Sequence, residues 1–114
     1  MSVVIYHNPR CSKSRQTLAL LEEKNIQPEI IKYLETPPTV AELKTLYSQL
    51  GLKEVRDMMR TKEEIYKELS LAGASDQKLF EAMSNNPKLI ERPIVVKGGQ
   101  AKHGRPPEQV LEIL

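Results

Sequence analysis

An α/β fold is what the sequence predicts: a β-α-β half, a helical insert and a β-β-α half. Three observations carry that reading. The short apolar runs Val3-Val4-Ile5 and Ile94-Val95-Val96 have the length and β-branching of buried strands and lie near opposite ends of the chain. Thr39-Val40-Ala41-Glu42 opens an amphipathic helix between them. Gly98-Gly99, directly after the second apolar run, is a hairpin signal. At 114 residues the chain has the size of one domain, 1–114, which buries roughly two thirds of its unfolded surface around a single core without disulfides or a metal.

In order, Val3 to Tyr6 reads as the first strand, broken by Asn8-Pro9. Good helix formers from about Ser14 to Lys24, with Leu18 and Leu21 on one face, predict a helix that Asn25 and Pro28 stop. Glu29 to Leu34 reads as a second strand, and Thr36-Pro37-Pro38 as a rigid loop. The capping box then starts a helix with Leu43, Leu46, Tyr47 and Leu50 at i, i+3, i+4 and i+7, ended by Gly51. Lys53 to Ala82 predicts two or three short helices broken at Gly73, with Ser75 or Asp76 capping the one that carries Leu79, Phe80 and Met83. Gly98-Gly99 joins the third strand to a weaker return strand, Gln100 to His103, and Pro106-Pro107 opens a terminal helix through Val110, Leu111 and Leu114. This is the order of a thioredoxin-like domain, although periodicity alone also admits other α/β sandwiches.

The charge balance narrows the function. Seventeen Lys plus Arg against fifteen Asp plus Glu leave +2, with the basic residues interspersed among acids, which argues against a nucleic-acid partner. No apolar stretch approaches the 18 or so residues of a membrane span, and Met1-Ser2 leads into a strand without a signal peptide's apolar region, so a cytoplasmic protein with no membrane partner is expected. We expect a monomer. No His/Cys cluster supports a metal site. The one cysteine, Cys11, cannot form an internal disulfide and is either a small core hydrophobe or a reactive thiol.

Its surroundings, Asn8-Pro9-Arg10 before it and Ser12-Lys13-Ser14 after it, place Cys11 in a strand-to-helix loop where outward-facing amides and the helix dipole favour an anion; this predicts an accessible, electropositive thiol. A cysteine-type phosphatase requires Arg six residues on, and position 17 is Thr. A dithiol oxidoreductase requires Cys-x-x-Cys, and Ser14 stands where the second sulfur would be. A monothiol enzyme that attacks an oxyanion or disulfide and leaves resolution to an external thiol is permitted. Arg60, Arg92 and Arg105 are candidate anion ligands because each interrupts or borders an apolar element, and guanidinium forks match tetrahedral oxyanions bidentately. Arg10, Arg15 and Arg56 are read as solvated surface charges. His7 is either a partner that helps ionise Cys11 or the end of a strand; His103 is read as a hairpin residue.

"YHNPRCSKSR", "YLETPPT", "LIERPIVV" and "GRPPE", in this order and spacing, resemble the glutaredoxin-coupled arsenate reductases over nearly the whole chain. The resemblance implies a thioredoxin-like fold with a helical insertion, Cys11 as the nucleophile that attacks arsenate, and Arg60, Arg92 and Arg105 as holders of the oxyanion, with His7 and Ser14 as possible supporting residues. It also implies a cis Pro93. By the same resemblance glutathione is the co-substrate, glutaredoxin is the partner that resolves the mixed disulfide, and no metal or bound cofactor is needed. The chain ends at Leu114, without the C-terminal extension of the longer members. The superfamily also contains Spx-type regulators, which bind RNA polymerase and commonly carry Cys-x-x-Cys; Ser14 argues against their redox switch, while a regulatory or protein-binding role is the alternative.

Overall fold

The computed structural model describes residues 2–114. The chain divides into two compact units, one formed by the chain up to Thr36 together with Arg92–Leu114, the other by Pro37–Glu91. The first unit is built on a four-stranded sheet of β1 (Val3–Tyr6), β2 (Glu29–Ile31), β3 (Ile94–Lys97) and β4 (Gln100–His103), in the order β2-β1-β3-β4. β1 pairs parallel to β2 and antiparallel to β3, with Ile5 opposite both Ile30 and Val95. This mixed sheet, with a helical crossover between its parallel strands, is the expected thioredoxin-like arrangement.

Alternation along β1 sends Val3 and Ile5 to one face, where they join Val95, Leu21 and Val110 in a buried cluster. The crossover helix α1 (Ser12–Glu23) supplies Leu21 and ends in a Schellman motif: Ile26 donates to the Leu21 carbonyl and Asn25 to that of Glu22, with Asn25 left-handed at φ 61°. Gly98 and Gly99 both take positive φ, 57° and 81°, as a two-residue hairpin between β3 and β4 requires.

Three elements of the first unit differ from the sequence expectation. The helix begins at Ser12, not near Ser14, because the Asn8-Pro9 turn closes early: the Cys11 N–H reaches the Asn8 carbonyl at 3.0 Å, and Arg15 then donates to Cys11 as the first helical bond. The second strand stops at Ile31, because the Lys32 carbonyl accepts from both Glu35 and Thr36 and turns the chain, leaving Leu34 exposed. The C-terminal helix, Pro107–Ile113, is a 3₁₀ helix. Three residues per turn align Pro107, Val110 and Ile113, so Val110 is buried while Leu111 is exposed.

The second unit holds α2 (Val40–Leu50), α3 (Glu64–Glu68) and α4 (Asp76–Asn85), with 3₁₀ turns at Val55–Met58, Leu71–Gly73 and Pro87–Leu89. The capping box forms as expected: Glu42 N–H donates to the Thr39 hydroxyl at 3.1 Å and Thr39 N–H to the Glu42 carboxylate at 2.9 Å. Leu43, Leu46 and Leu50 are buried, and Gly51 ends α2 at φ 67°. Ser75 caps α4, whose Phe80 meets Tyr47 edge-on at 5.9 Å. Arg56 is not the solvated charge the sequence suggested. Its guanidinium donates to the carbonyls of Leu71, Ala72 and Ala74 and to the Tyr66 hydroxyl, satisfying a run of turn carbonyls.

Candidate active site

The loop from β1 to α1 is organised by short-range polar bonds. Asn8 precedes Pro9 at the start of a tight turn, its side-chain oxygen accepts the Arg10 N–H at 3.0 Å, and its carbonyl accepts from Cys11. Arg15, on the first turn of α1, donates to the Pro9 carbonyl at 3.0 Å, so this arginine too is a loop clamp. Cys11 becomes the N-cap of α1 with extended backbone, φ −93° and ψ 124°. Its sulfur stands where a Ser, Thr or Asp oxygen ordinarily accepts from the free amides of the first turn.

Cys11 is buried, 7% exposed, so the thiol is more sheltered than the sequence suggested, because the turn tucks the short side chain under the helix end. Its electropositive character stands. Burial alone pushes the thiol up, but the Ser14 amide, the Arg92 guanidinium beside it and the Lys13 amide together outweigh this and hold Cys11 below its ordinary value. The first-turn amides make no capping bond to the sulfur; they act by facing it, and together with Arg92 they favour its charged form.

Ser14 is fully buried, and its hydroxyl lies 2.7 Å from His7 Nδ1 while accepting the Asn8 N–H at 3.0 Å. His7 thus touches the residue whose amide faces Cys11, and it also extends the β1–β2 pairing by donating to the Ile31 carbonyl. The strand-end reading describes its backbone, while its ring bonds Ser14 rather than Cys11. Burial, then the charges of Lys32 and Arg15, hold its imidazole below the usual histidine range, so it is neutral at pH 7. A second buried hydroxyl on the same helix face, Thr17, bonds back to the Lys13 carbonyl at 2.8 Å.

Arg92 and Arg105 bracket the β3–β4 hairpin. Each precedes a cis proline, Pro93 as the resemblance implied and Pro106 in addition. The Arg105 guanidinium donates to the Arg92 carbonyl at 3.3 Å, and the Gly104 N–H donates to that of Pro93 at 3.0 Å. Gly104 carries the approach of this loop to α1: a Cβ there would overlap the Thr17 hydroxyl and lie 2.8 Å from Pro93 Cγ. Cys11, His7, Ser14, Arg92 and Arg105 therefore share one unit. Arg60 belongs to the other, where its guanidinium pairs with Glu63 and its amide donates to the Leu89 carbonyl. The roles of Gly104 and Thr17 had only a faint sequence signal, a glycine directly before Arg-Pro-Pro.

Comparison with known proteins places the family. The ArsC family profile matches residues 6–113. A protein named arsenate reductase from Haemophilus influenzae is 59% identical over 116 residues, covering 100% of both chains. An Escherichia coli K12 protein named YfgD, described as uncharacterized, is 58% identical over 114 residues, covering 98% of this chain and 96% of its own. The solved structure of arsenate reductase from Vibrio cholerae has 72% identity and a TM-score of 0.98, with 100% of this chain and 98% of that one covered. With a match that runs from the end of β1 to the last turn of the C-terminal helix, the chain belongs to the ArsC family.

Proposed function

We propose that this chain reduces arsenate to arsenite with Cys11 as its only nucleophile, glutathione as co-substrate and glutaredoxin as the partner that regenerates the thiol. The observation that carries the reading is the N-cap position of Cys11, where amides and Arg92 favour a thiolate. Relatives named arsenate reductase at 59% and 48% identity support the substrate. We assign oxyanion binding to Arg60, Arg92 and Arg105, whose forks suit a tetrahedral anion. His7 and Ser14 act as positioning residues behind Cys11. No helix among the described residues is long and apolar enough to cross a membrane, and the reaction is assigned to a cytoplasmic monomer that requires no bound cofactor.

In the first step the Cys11 thiolate attacks arsenic, and an arsenate oxygen leaves as water after protonation, giving a Cys11–S–As(V) adduct. A glutathione thiolate then attacks the Cys11 sulfur. The new S–S bond forms as the S–As bond breaks with its electron pair left on arsenic, so As(V) becomes As(III) and departs as arsenite. The two electrons come from the two thiols. The chain has no second cysteine, so Cys11 remains joined to glutathione until a glutaredoxin thiolate attacks the glutathione sulfur and Cys11, the more acidic thiol, leaves.

Purified protein given arsenate, glutathione and glutaredoxin should release arsenite. Omitting glutaredoxin should stall it with one glutathione on Cys11 by mass spectrometry, and Cys11→Ser should be inactive. Sustained turnover with thioredoxin alone, without glutathione, would defeat the assignment.

A further inference from the structure

Beside the Cys11 loop lies a cleft of about 330 Å³ whose Arg10, Lys32, Leu34 and Glu35 have no assigned role. One wall is His7 to Arg10, the four residues before Cys11; the other is Lys32, Leu34 and Glu35, from the turn after β2. We infer that this cleft seats glutathione, with Arg10 and Lys32 taking its two carboxylates and Glu35 its ammonium. The inference rests on the proposed reaction only for the identity of the thiol.

Charge pattern is the first argument. Glutathione at neutral pH carries two carboxylates and one ammonium, and the cleft offers two cations and one anion. None of these three side chains is committed to an ion pair among the described residues. Apolar surface is the second. Leu34 is one of few large apolar side chains left exposed, 39%, and with Pro9 it gives the peptide's methylenes a dry surface. The turn that ends β2 early is what brings Leu34 and Glu35 onto this wall, since the Lys32 carbonyl accepts from both Glu35 and Thr36.

Reach is the third. Arg10 is the immediate neighbour of Cys11, consecutive Cα atoms are about 3.8 Å apart, and an extended tripeptide spans about 10 Å. A ligand with one end on Lys32 or Arg10 can therefore present its central sulfur at the start of α1. The cleft volume lies at the small end of the range for small-molecule sites, about 300–1,000 Å³, as a tripeptide requires.

The test is an NMR titration of the Cys11→Ser protein with reduced glutathione, which needs no turnover. Saturable shifts confined to residues 7–10 and 32–35 are expected. Arg10→Glu/Lys32→Glu, both exposed positions, should weaken binding about 10-fold or more, as expected for two exposed charge pairs reversed. Reacting the native thiol with bis(2-hydroxyethyl) disulfide, an uncharged reagent, should give similar rates with and without the double change. Shifts centred elsewhere, absence of saturable binding, or equal affinity in the double variant would overturn the inference. Turnover with an unchanged KM for glutathione in the double variant refutes the cleft and leaves the reaction standing; glutathione binding here without arsenate reduction refutes the reaction and leaves the cleft standing.

Discussion

Ser14→Ala tests whether the buried polar pair behind Cys11 organises the site. The change removes a hydroxyl that lies 2.7 Å from His7 Nδ1 and accepts the Asn8 N–H at 3.0 Å, at a position with no solvent exposure to supply a replacement. Each polar group left unpaired in the interior costs about 1–3 kcal/mol. The imidazole is buried and belongs toward the top of that range; the Asn8 amide is only partly buried and belongs toward the bottom. Alanine's better helix propensity returns roughly 0.5 kcal/mol at this first-turn position. The net loss is about 2–4 kcal/mol. With a urea slope of about 2 kcal/mol/M, the unfolding midpoint should fall by roughly 1–2 M at unchanged slope. In a His7→Phe background only the Asn8 bond remains to be lost, so the same change should cost markedly less, and the difference is the coupling energy. The pH at which Cys11 alkylation by iodoacetamide inflects should also rise, because the Ser14 amide is no longer held against the sulfur. A cost below about 0.5 kcal/mol, or an equal cost in both backgrounds, would refute the reasoning.

Two further perturbations follow from the same geometry. Alkylation of the unmodified protein should inflect below the ordinary thiol value of about 8.5, and Arg92→Met, which removes a positive charge that favours the thiolate, should move the inflection upward; an inflection at or above 8.5 in the unmodified protein would remove the basis for a catalytic thiolate. Because the folded pKa is the depressed one, Cys11 ionisation adds stability that is fully present above the unfolded value and lost as pH falls through the folded one, so the margin over Cys11→Ser should grow with pH across that window. Gly104→Ala should cost about 1–3 kcal/mol in thermal or urea unfolding, since its Cβ would collide with Thr17 and lie 2.8 Å from Pro93 Cγ, and Thr17→Ser, which removes the methyl at 3.0 Å but keeps the hydroxyl, should recover only a small part.

Local chemistry is legible in a sequence where the partners are near neighbours. The Thr39–Glu42 capping box, the Gly51 stop, the Gly98-Gly99 hairpin and the Asn8-Pro9 turn each depend on residues within four positions, and all formed as read. The strands β1, β3 and β4 were likewise legible because β-branched runs and turn residues bound them closely. The resemblance of four short motifs added the family, the cis Pro93 and a list of arginines. What only the tertiary structure decided is everything set by register. Pairing Tyr6 with Ile94 and Ile94 with His103 carries Arg92 to Cys11 from 81 positions away and brings Arg105 to the Arg92 carbonyl. The same packing buries Cys11 and makes Ser14 the partner of His7 rather than the mere absence of a second cysteine. It also turns Arg56 into the cap of a turn 15–18 residues away. Periodicity reports which face of an element is apolar; it carries no term for which distant backbone will lie against that face, and the chemistry of Cys11 depends on that distant backbone.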